Sequence, residues 1–312
     1  MKCLRLLLPA ISLALGPVLG AAFAAAQGVE LHVLGIGQDA GYPQAGCFQA
    51  HCMPGWEGDR PRRPAVSLAL IDHDARRRYL FEATPDFPAQ YFKLERIAPS
   101  SSYALSGIFL THAHIGHYAG LMFLGHEAMG ASGVPVYAMP RMRRFLEENG
   151  PWSQLVEFRN IKLMPLAHEQ PVVLDAITVT PVLVPHRDEY SETVGFEIAG
   201  PSRKALFIPD INKWSLWDRD LEAVVKSVDF AFVDATFFAD GELPGRDMSK
   251  IPHPFVTETM ERLAHLSPQE RSKVWFIHMN HTNPVLWDDT VESAAVRAAG
   301  FNLAREGMVL GL

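Results

Sequence analysis

Past its N-terminal segment, the chain sets short apolar blocks between Gly, Pro and Asp, and these blocks follow two different periods. Brief runs rich in Val, Ile, Leu and Phe predict strands over Glu30–Leu34, Val66–Ile71, Arg78–Glu82, Gly107–Leu110, Val134–Tyr137, Ile177–Val184, Val194–Ile198, Ala205–Ile208, Phe230–Val233 and Val274–Ile277. Helical spacing lies between them. His117, Leu121, Leu124 and Ala128 recur on one face and predict a helix from Gly116 to Met129. A second, Arg141–Glu148, is closed by Asn149-Gly150-Pro151. Others fit Leu216–Lys226, Phe255–Leu266 and Thr290–Ala299. Strands and helices alternating throughout predict an α/β protein. No repeat, low-complexity tract or linker divides it, so one compact domain over residues 27–312 is expected.

The stretch before Gln27 reads differently. Lys2 and Arg5 precede a Leu- and Ala-rich run from Leu6 to Phe23, and small residues then offer cleavage points after Ala24 or Ala26. This is the pattern of a secretory signal peptide over residues 1–26. It predicts a periplasmic or secreted protein, free of the membrane after cleavage. A retained anchor is the alternative reading, although the run is only marginally long enough to span a bilayer.

Charge and cysteine content narrow the picture further. The 312 residues carry a formal net charge of −7, and loss of Lys2 and Arg5 with the leader makes the balance more negative still. A polynucleotide partner wants a basic footprint, so a small-molecule substrate is expected and nucleic acid is not. Of three cysteines, Cys3 falls in the leader, while Cys47 and Cys52 share a loop with His51. In an oxidising compartment a disulfide is the plain reading of that pair; a small metal site using Cys47, His51 and Cys52 is the alternative. The loop from Gly46 to Arg63, rich in Gly, Pro and Arg, is either a cover over a site or ordinary surface.

Chemistry concentrates in the histidines. His112, His114 and His117 stand together in THAHIGH, directly after the apolar run GIFL. Two histidines two apart in an extended segment project to one side, and a third, one turn into a helix, can point back at the same space. Converging neutral imidazoles hold transition metals and leave room for water. Three further donors come after strand-like runs: His186, Asp210 at the end of ALFIPD, and His278 at the end of VWFIH. Strand C-terminal edges are where α/β folds commonly place their sites.

The order H-x-H-x-x-H, His, Asp, His resembles the metallo-β-lactamase superfamily over nearly the whole mature chain. LGIGQDAGYPQ, FEATPD, DATFF, GRDM and IHMNHTNP resemble in particular its pyrroloquinoline quinone biosynthesis B branch. The resemblance implies a four-layer αββα sandwich with metal at one edge of two packed sheets. It implies a first metal held by His112, His114 and His186, and a second held by His117 and His278, with Asp210 bridging. One position departs: the superfamily motif reads H-x-H-x-D-H, and Gly116 stands where the aspartate belongs. This leaves one ion or two open, with His281 as the candidate to make good the loss. The stretch from DATFF to IPHPFVTETMERL also resembles ribonuclease Z and related phosphodiesterases, which implies a proton-donating or phosphate-contacting role for His253. Asp86, in TPD, is a candidate to orient a ligand histidine through its second ring nitrogen.

Taken together, these residues predict an exported, metal-dependent hydrolase, with zinc as the expected ion, Asp210 and His253 as the catalytic candidates, and a phosphodiester, lactone or ester as substrate. An iron-dependent redox or cofactor-maturation protein is the first alternative, because His and carboxylate donors accept either metal. A non-catalytic metal-binding protein is the second.

Overall fold

The computed structural model describes residues 28–312; the leader expected over residues 1–26 lies outside them. The first half of the chain forms β1 (Val29–Gly35), β2 (Ser67–Asp72), β3 (Arg77–Phe81), β4 (Ala104–Phe109), β5 (Val134–Ala138) and β6 (Ile161–Pro165). The second half forms β7 (Val172–Leu174), β8 (Ile177–Leu183), β9 (Val194–Ala199), β10 (Lys204–Ile208), β11 (Phe230–Asp234), β12 (Val274–Ile277), β13 (Asn302–Leu303) and β14 (Val309–Gly311). They build two seven-stranded sheets, ordered β14-β1-β2-β3-β4-β5-β6 and β13-β12-β11-β10-β9-β8-β7. The chain's last strand thus returns to pair antiparallel with its first.

Residue alternation explains why these strands read as continuous apolar runs. In β2, Leu68 and Leu70 enter the core between the sheets while Ala69 and Ile71 enter a second core under the helices. In β3, Tyr79 and Phe81 face inward and Leu80 outward; in β4, Phe109 faces inward and Ile108 outward. A sheet covered on both faces has no polar side to show. Phe81, Phe109, Phe196 and Phe207 join the two sheets across the middle, with Phe81 and Phe109 stacked at 5.1 Å. Helices Phe87–Ile97, Pro140–Glu148 and Trp152–Glu157 cover the first sheet, and Leu221–Ser227, Val256–Arg262 and Val291–Ala298 pack on the second. The result is the αββα sandwich. Among the described residues, no helix is long and apolar enough to cross a membrane.

The ten expected strands all form, within a few residues of their expected ends. The helix expected over Gly116–Met129 does not. One α-turn, Ile115–Tyr118, passes into a 3-10 segment, Ala119–Leu124, and stops. The reason lies at Gly120, whose N–H leaves the helix to donate to Ala83 O at 2.8 Å. A Cβ at Gly120 would lie 2.2 Å from Thr84 O, so the segment is pressed against the β3 loop and cannot continue its ladder. Edge strands β6 and β7 escaped the apolar pattern because each is short and half-exposed.

Candidate metal centre

Strand β3 runs parallel to β4, and β10, β11 and β12 run parallel to one another, so their C-terminal ends gather at one edge of the sandwich. Each end delivers a donor: Glu82 after β3, Thr111-His112 after β4, Asp210 after β10, Asp234 closing β11 and His278 after β12. His114 is still extended (φ −85, ψ 140) before the chain turns into the helix that carries His117. Two non-glycine residues hold left-handed backbone at this edge, Glu82 at φ 77 and His278 at φ 66. Such conformations cost on the order of 1–3 kcal/mol each and persist where the surroundings impose them.

The donors form two groups that share Asp210. In the first, His112 Nε2 lies 2.8 Å from His114 Nδ1, which lies 3.2 Å from His186 Nε2. Asp210 Oδ2 is 3.4 Å from His112 Nε2 and 3.2 Å from His186 Nε2. In the second, Asp210 Oδ2 is 3.8 Å from His117 Nε2. Asp39 Oδ1 is 3.0 Å from His117 Nε2 and 3.7 Å from His278 Nε2. A tetrahedral zinc with bonds of ~2.0–2.1 Å separates its donors by roughly 3.3–3.4 Å, close to the spacing in both groups. Both nitrogens of His117, His278 Nε2 and Asp39 Oδ1 are buried without a hydrogen-bond partner. Buried polar atoms are costly unless paired or coordinated, and a cation in the second group would satisfy His117 Nε2, His278 Nε2 and Asp39 Oδ1. The residues present therefore fit one or two metal ions.

Outer partners fix the rings. His112 Nδ1 meets Thr111 Oγ1 at 2.8 Å, His186 Nδ1 meets Asn212 Oδ1 at 3.2 Å, and His114 Nε2 meets Glu189 Oε2 at 3.1 Å. His278 Nδ1 meets Thr236 Oγ1 at 2.9 Å, and His117 Nδ1 is backed by the buried Glu82 carboxylate at 3.5 Å. Such contacts orient ligand imidazoles and set which nitrogen faces the metal. Burial, with the His117 charge beside it, drives the His112 pKa well below its usual value, so this ring is neutral and ready to coordinate.

His253 completes the site. Its Nδ1 sits 2.9 Å from Asp234 Oδ2 and 3.1 Å from Asp210 Oδ1. Burial would lower its pKa, but Asp234 and Asp210 together push it up to about 10. Asp234 is itself pinned by Ile211 N–H, Thr236 N–H and the Thr236 hydroxyl. With Nδ1 held inward, His253 lines a cavity of about 570 Å³ whose wall also carries Arg187, Arg246, Lys250, Gln38 and Gln44.

The structure thus brings His112, His114, His117, His186, Asp210, His278 and His253 to one place. His281 lines the cavity beside His253 but is not grouped with these donors. Its ring lies 5.4 Å from that of His51, grouped with Cys47 and Cys52, which are disulfide-bonded. Asp86 is also engaged away from the histidines, its Oδ2 accepting the Ala65 N–H at 2.8 Å. Glu82, at the start of the same FEATPD stretch, is the carboxylate that stands behind one of the clustered histidines, His117. Glu82 directly follows an apolar strand and Asp39 comes a short turn after one, a signal the sequence carried, but neither lies near the histidine motif in the chain. The Gly46–Arg63 loop does not roof the cavity beside His253; its start, from Gly46 to His51, lines a neighbouring cavity together with Glu242 and His281.

Two packed sheets with histidine and aspartate donors at one edge define the class as a metal-site sandwich. The beta-lactamase superfamily domain matches residues 77–279, and this chain belongs to that superfamily. Within it, the chain is similar to the coenzyme PQQ synthesis protein B of Xanthomonas euvesicatoria pv. vesicatoria (strain 85-10), 27% identical over 317 residues that cover 91% of this chain and 100% of the relative. It is 25% identical to the protein of the same name from Methylorubrum extorquens (strain PA1), over 90% of this chain and 99% of the relative. Among solved structures, the Zn(2+)-bound PqqB from Methylobacterium extorquens matches with a TM-score of 0.75 at 24% identity, covering 91% of this chain and 100% of that one. A diphosphatase from the PhnP family matches at 0.62 and 22%, covering 92% and 98%. These likenesses show the metallo-β-lactamase fold, and the zinc-bound neighbour together with the donor clusters supports a metal cofactor.

Proposed function

We propose that this protein is an exported zinc hydrolase acting on a small anionic substrate, a phosphoester before a lactone or neutral ester. One observation carries the reading: the shared donor groups adjoin a cavity walled by His253 and three cations, Arg187, Arg246 and Lys250. Guanidinium and ammonium groups converging on one cavity favour phosphate-like anions, and 570 Å³ suits a small molecule. A zinc ion, when bound, lowers the pKa of water from about 15.7 toward about 7 and polarises the substrate oxygen. His112, His114 and His186 would hold one ion and His117 and His278 the other, with Asp210 between them. Asp234 holds the Nδ1 of His253, so that the opposite edge of the ring can pass a proton to a departing oxygen. The arginines and Lys250 orient the anion.

The test is a screen of aryl phosphodiesters, phosphomonoesters, diphosphates and lactones on the zinc-loaded mature protein. Hydrolysis of a phosphoester that disappears in His112→Ala/His114→Ala, with circular dichroism unchanged, supports the reading. Activity that survives in that folded variant overturns it.

A second reading rests on the similarity to coenzyme PQQ synthesis proteins over nine-tenths of the chain: a redox or cofactor-maturation role with iron in the same donors. Oxygen consumption by iron-loaded protein, absent with zinc, would favour it.

A further inference from the structure

We infer that Asp39, carried in on the turn after β1, is a ligand of a second metal ion, and that the glycine at position 116 is what admits it. The inference rests on the metal reading of the centre. Asp39 Oδ1 points between His117 Nε2 and His278 Nε2, at 3.0 and 3.7 Å, and is buried with no hydrogen-bond partner although the side chain as a whole is 36% exposed. With Asp210 these three form a four-donor group of the histidine and carboxylate kind that zinc takes.

The turn is built to hold that carboxylate there. Gln38 N–H donates to Met279 O, and Met279 N–H donates to Ile36 O, both at 2.8 Å. One backbone ladder therefore positions Asp39 and His278 against each other. Gly41 closes the turn with φ +67 and its N–H on Gln38 O, and a Cβ there would lie 2.5 Å from Arg63 O. From the other side, a Cβ on Gly116 would fall 2.3 Å from Asp39 Cα and 2.5 Å from Asp39 Cβ. Any side chain at 116 would occupy the volume that Asp39 fills. A carboxylate at 116 and the present Asp39 exclude each other, so the chain delivers the donor from a strand end far away in sequence. This is a metal ligand that reading the histidine motif alone would count as lost.

The experiment counts metal and does not depend on turnover. Mature protein is stripped with chelator, loaded with zinc or cobalt(II), dialysed, and assayed by elemental analysis and by the visible cobalt spectrum. Wild type should retain two ions. Asp39→Ala should retain one, with second-ion affinity lowered by more than the roughly 10–100-fold that loss of an outer partner causes. Asp39→Asn should fall between them. Gly116→Ala should behave as Asp39→Ala does, because one methyl displaces the turn while every ligand remains in the chain. If it fails to fold, the two Asp39 variants carry the test. Two ions retained in Asp39→Ala, or only one in wild type, overturns the inference. Two ions in wild type and one in Asp39→Ala, without hydrolysis of any substrate, sinks the proposed function and leaves this ligand assignment standing.

Discussion

The two halves of the candidate metal centre are held in different ways. On the His112, His114 and His186 side, every ring has a hydrogen-bonded outer partner, in Thr111, Glu189 and Asn212, and the first two histidines are close neighbours in sequence. On the other side, His117 has no hydrogen bond from either nitrogen, and its neighbours Glu82, Asp39 and Asp210 bring three carboxylates around one buried imidazole. The rings of the first half are therefore each held by a protein group. The second places buried charges together and relies on a cation, or a proton on His117, to offset their repulsion. Burial would keep His117 neutral, but Glu82 and Asp39 raise its pKa well above the usual value. A site with one self-sufficient half and one charge-loaded half should therefore fill, and fail, in two steps.

The largest effect expected comes from metal removal. Zinc at a thousandfold excess over its Kd stabilises a protein by about 4 kcal/mol, or roughly 8–16 °C in Tm for a chain of this order of size. Scanning calorimetry with and without chelator should show a loss of that order. No change would mean that the buried donors are satisfied without a metal, which breaks the comparison. Next, the two outer partners can be set against each other. Glu82→Gln removes the charge behind His117 and should weaken the second ion by about 10–100-fold. Asn212→Ala acts at a partly exposed position, where water can replace the lost partner, and should weaken the first ion by less, under about 10-fold on the same scale. Equal losses in zinc titrations would erase the difference drawn between the halves.

The third effect is smaller and concerns His253. In the metal-free protein its folded pKa of about 10 exceeds the ordinary 6.5. Between those values the folded state binds the extra proton, so this contribution to stability is complete below pH 6.5 and is lost as pH rises through about 10. Urea melts of metal-free wild type against His253→Asn should converge as pH rises over that window. Zinc on Asp210 shares the carboxylate charge and should lower the His253 pKa, visible as an imidazole shift in proton NMR at about pH 8–9. A His253 signal unmoved by zinc would separate this residue from the centre.

The ends of the strands and the order of donors were legible because each is a local property. A strand buried on both faces must be apolar throughout, so GIFL, ALFI and VWFI announce themselves, and the residues just beyond them fall at the edge where the sheets end. His112, His114, His117, His186, Asp210 and His278 could be picked out on that basis, and His253 by its place before a helix. The Gly116–Met129 helix failed because a contact between Gly120 and the β3 loop outweighs helical spacing. Only the tertiary structure could decide which carboxylate stands beside His117, since Asp39, Asp86 and Glu82 look alike in sequence. Parallel strand order and two backbone hydrogen bonds at Met279 bring Asp39 to the site, while Asp86 is turned to the Ala65 amide and His281 toward His51. Local pattern fixes what most segments become, the Gly116–Met129 stretch excepted; which distant loop reaches a common point depends on how the sheets pair, and pairing is a property of the whole chain.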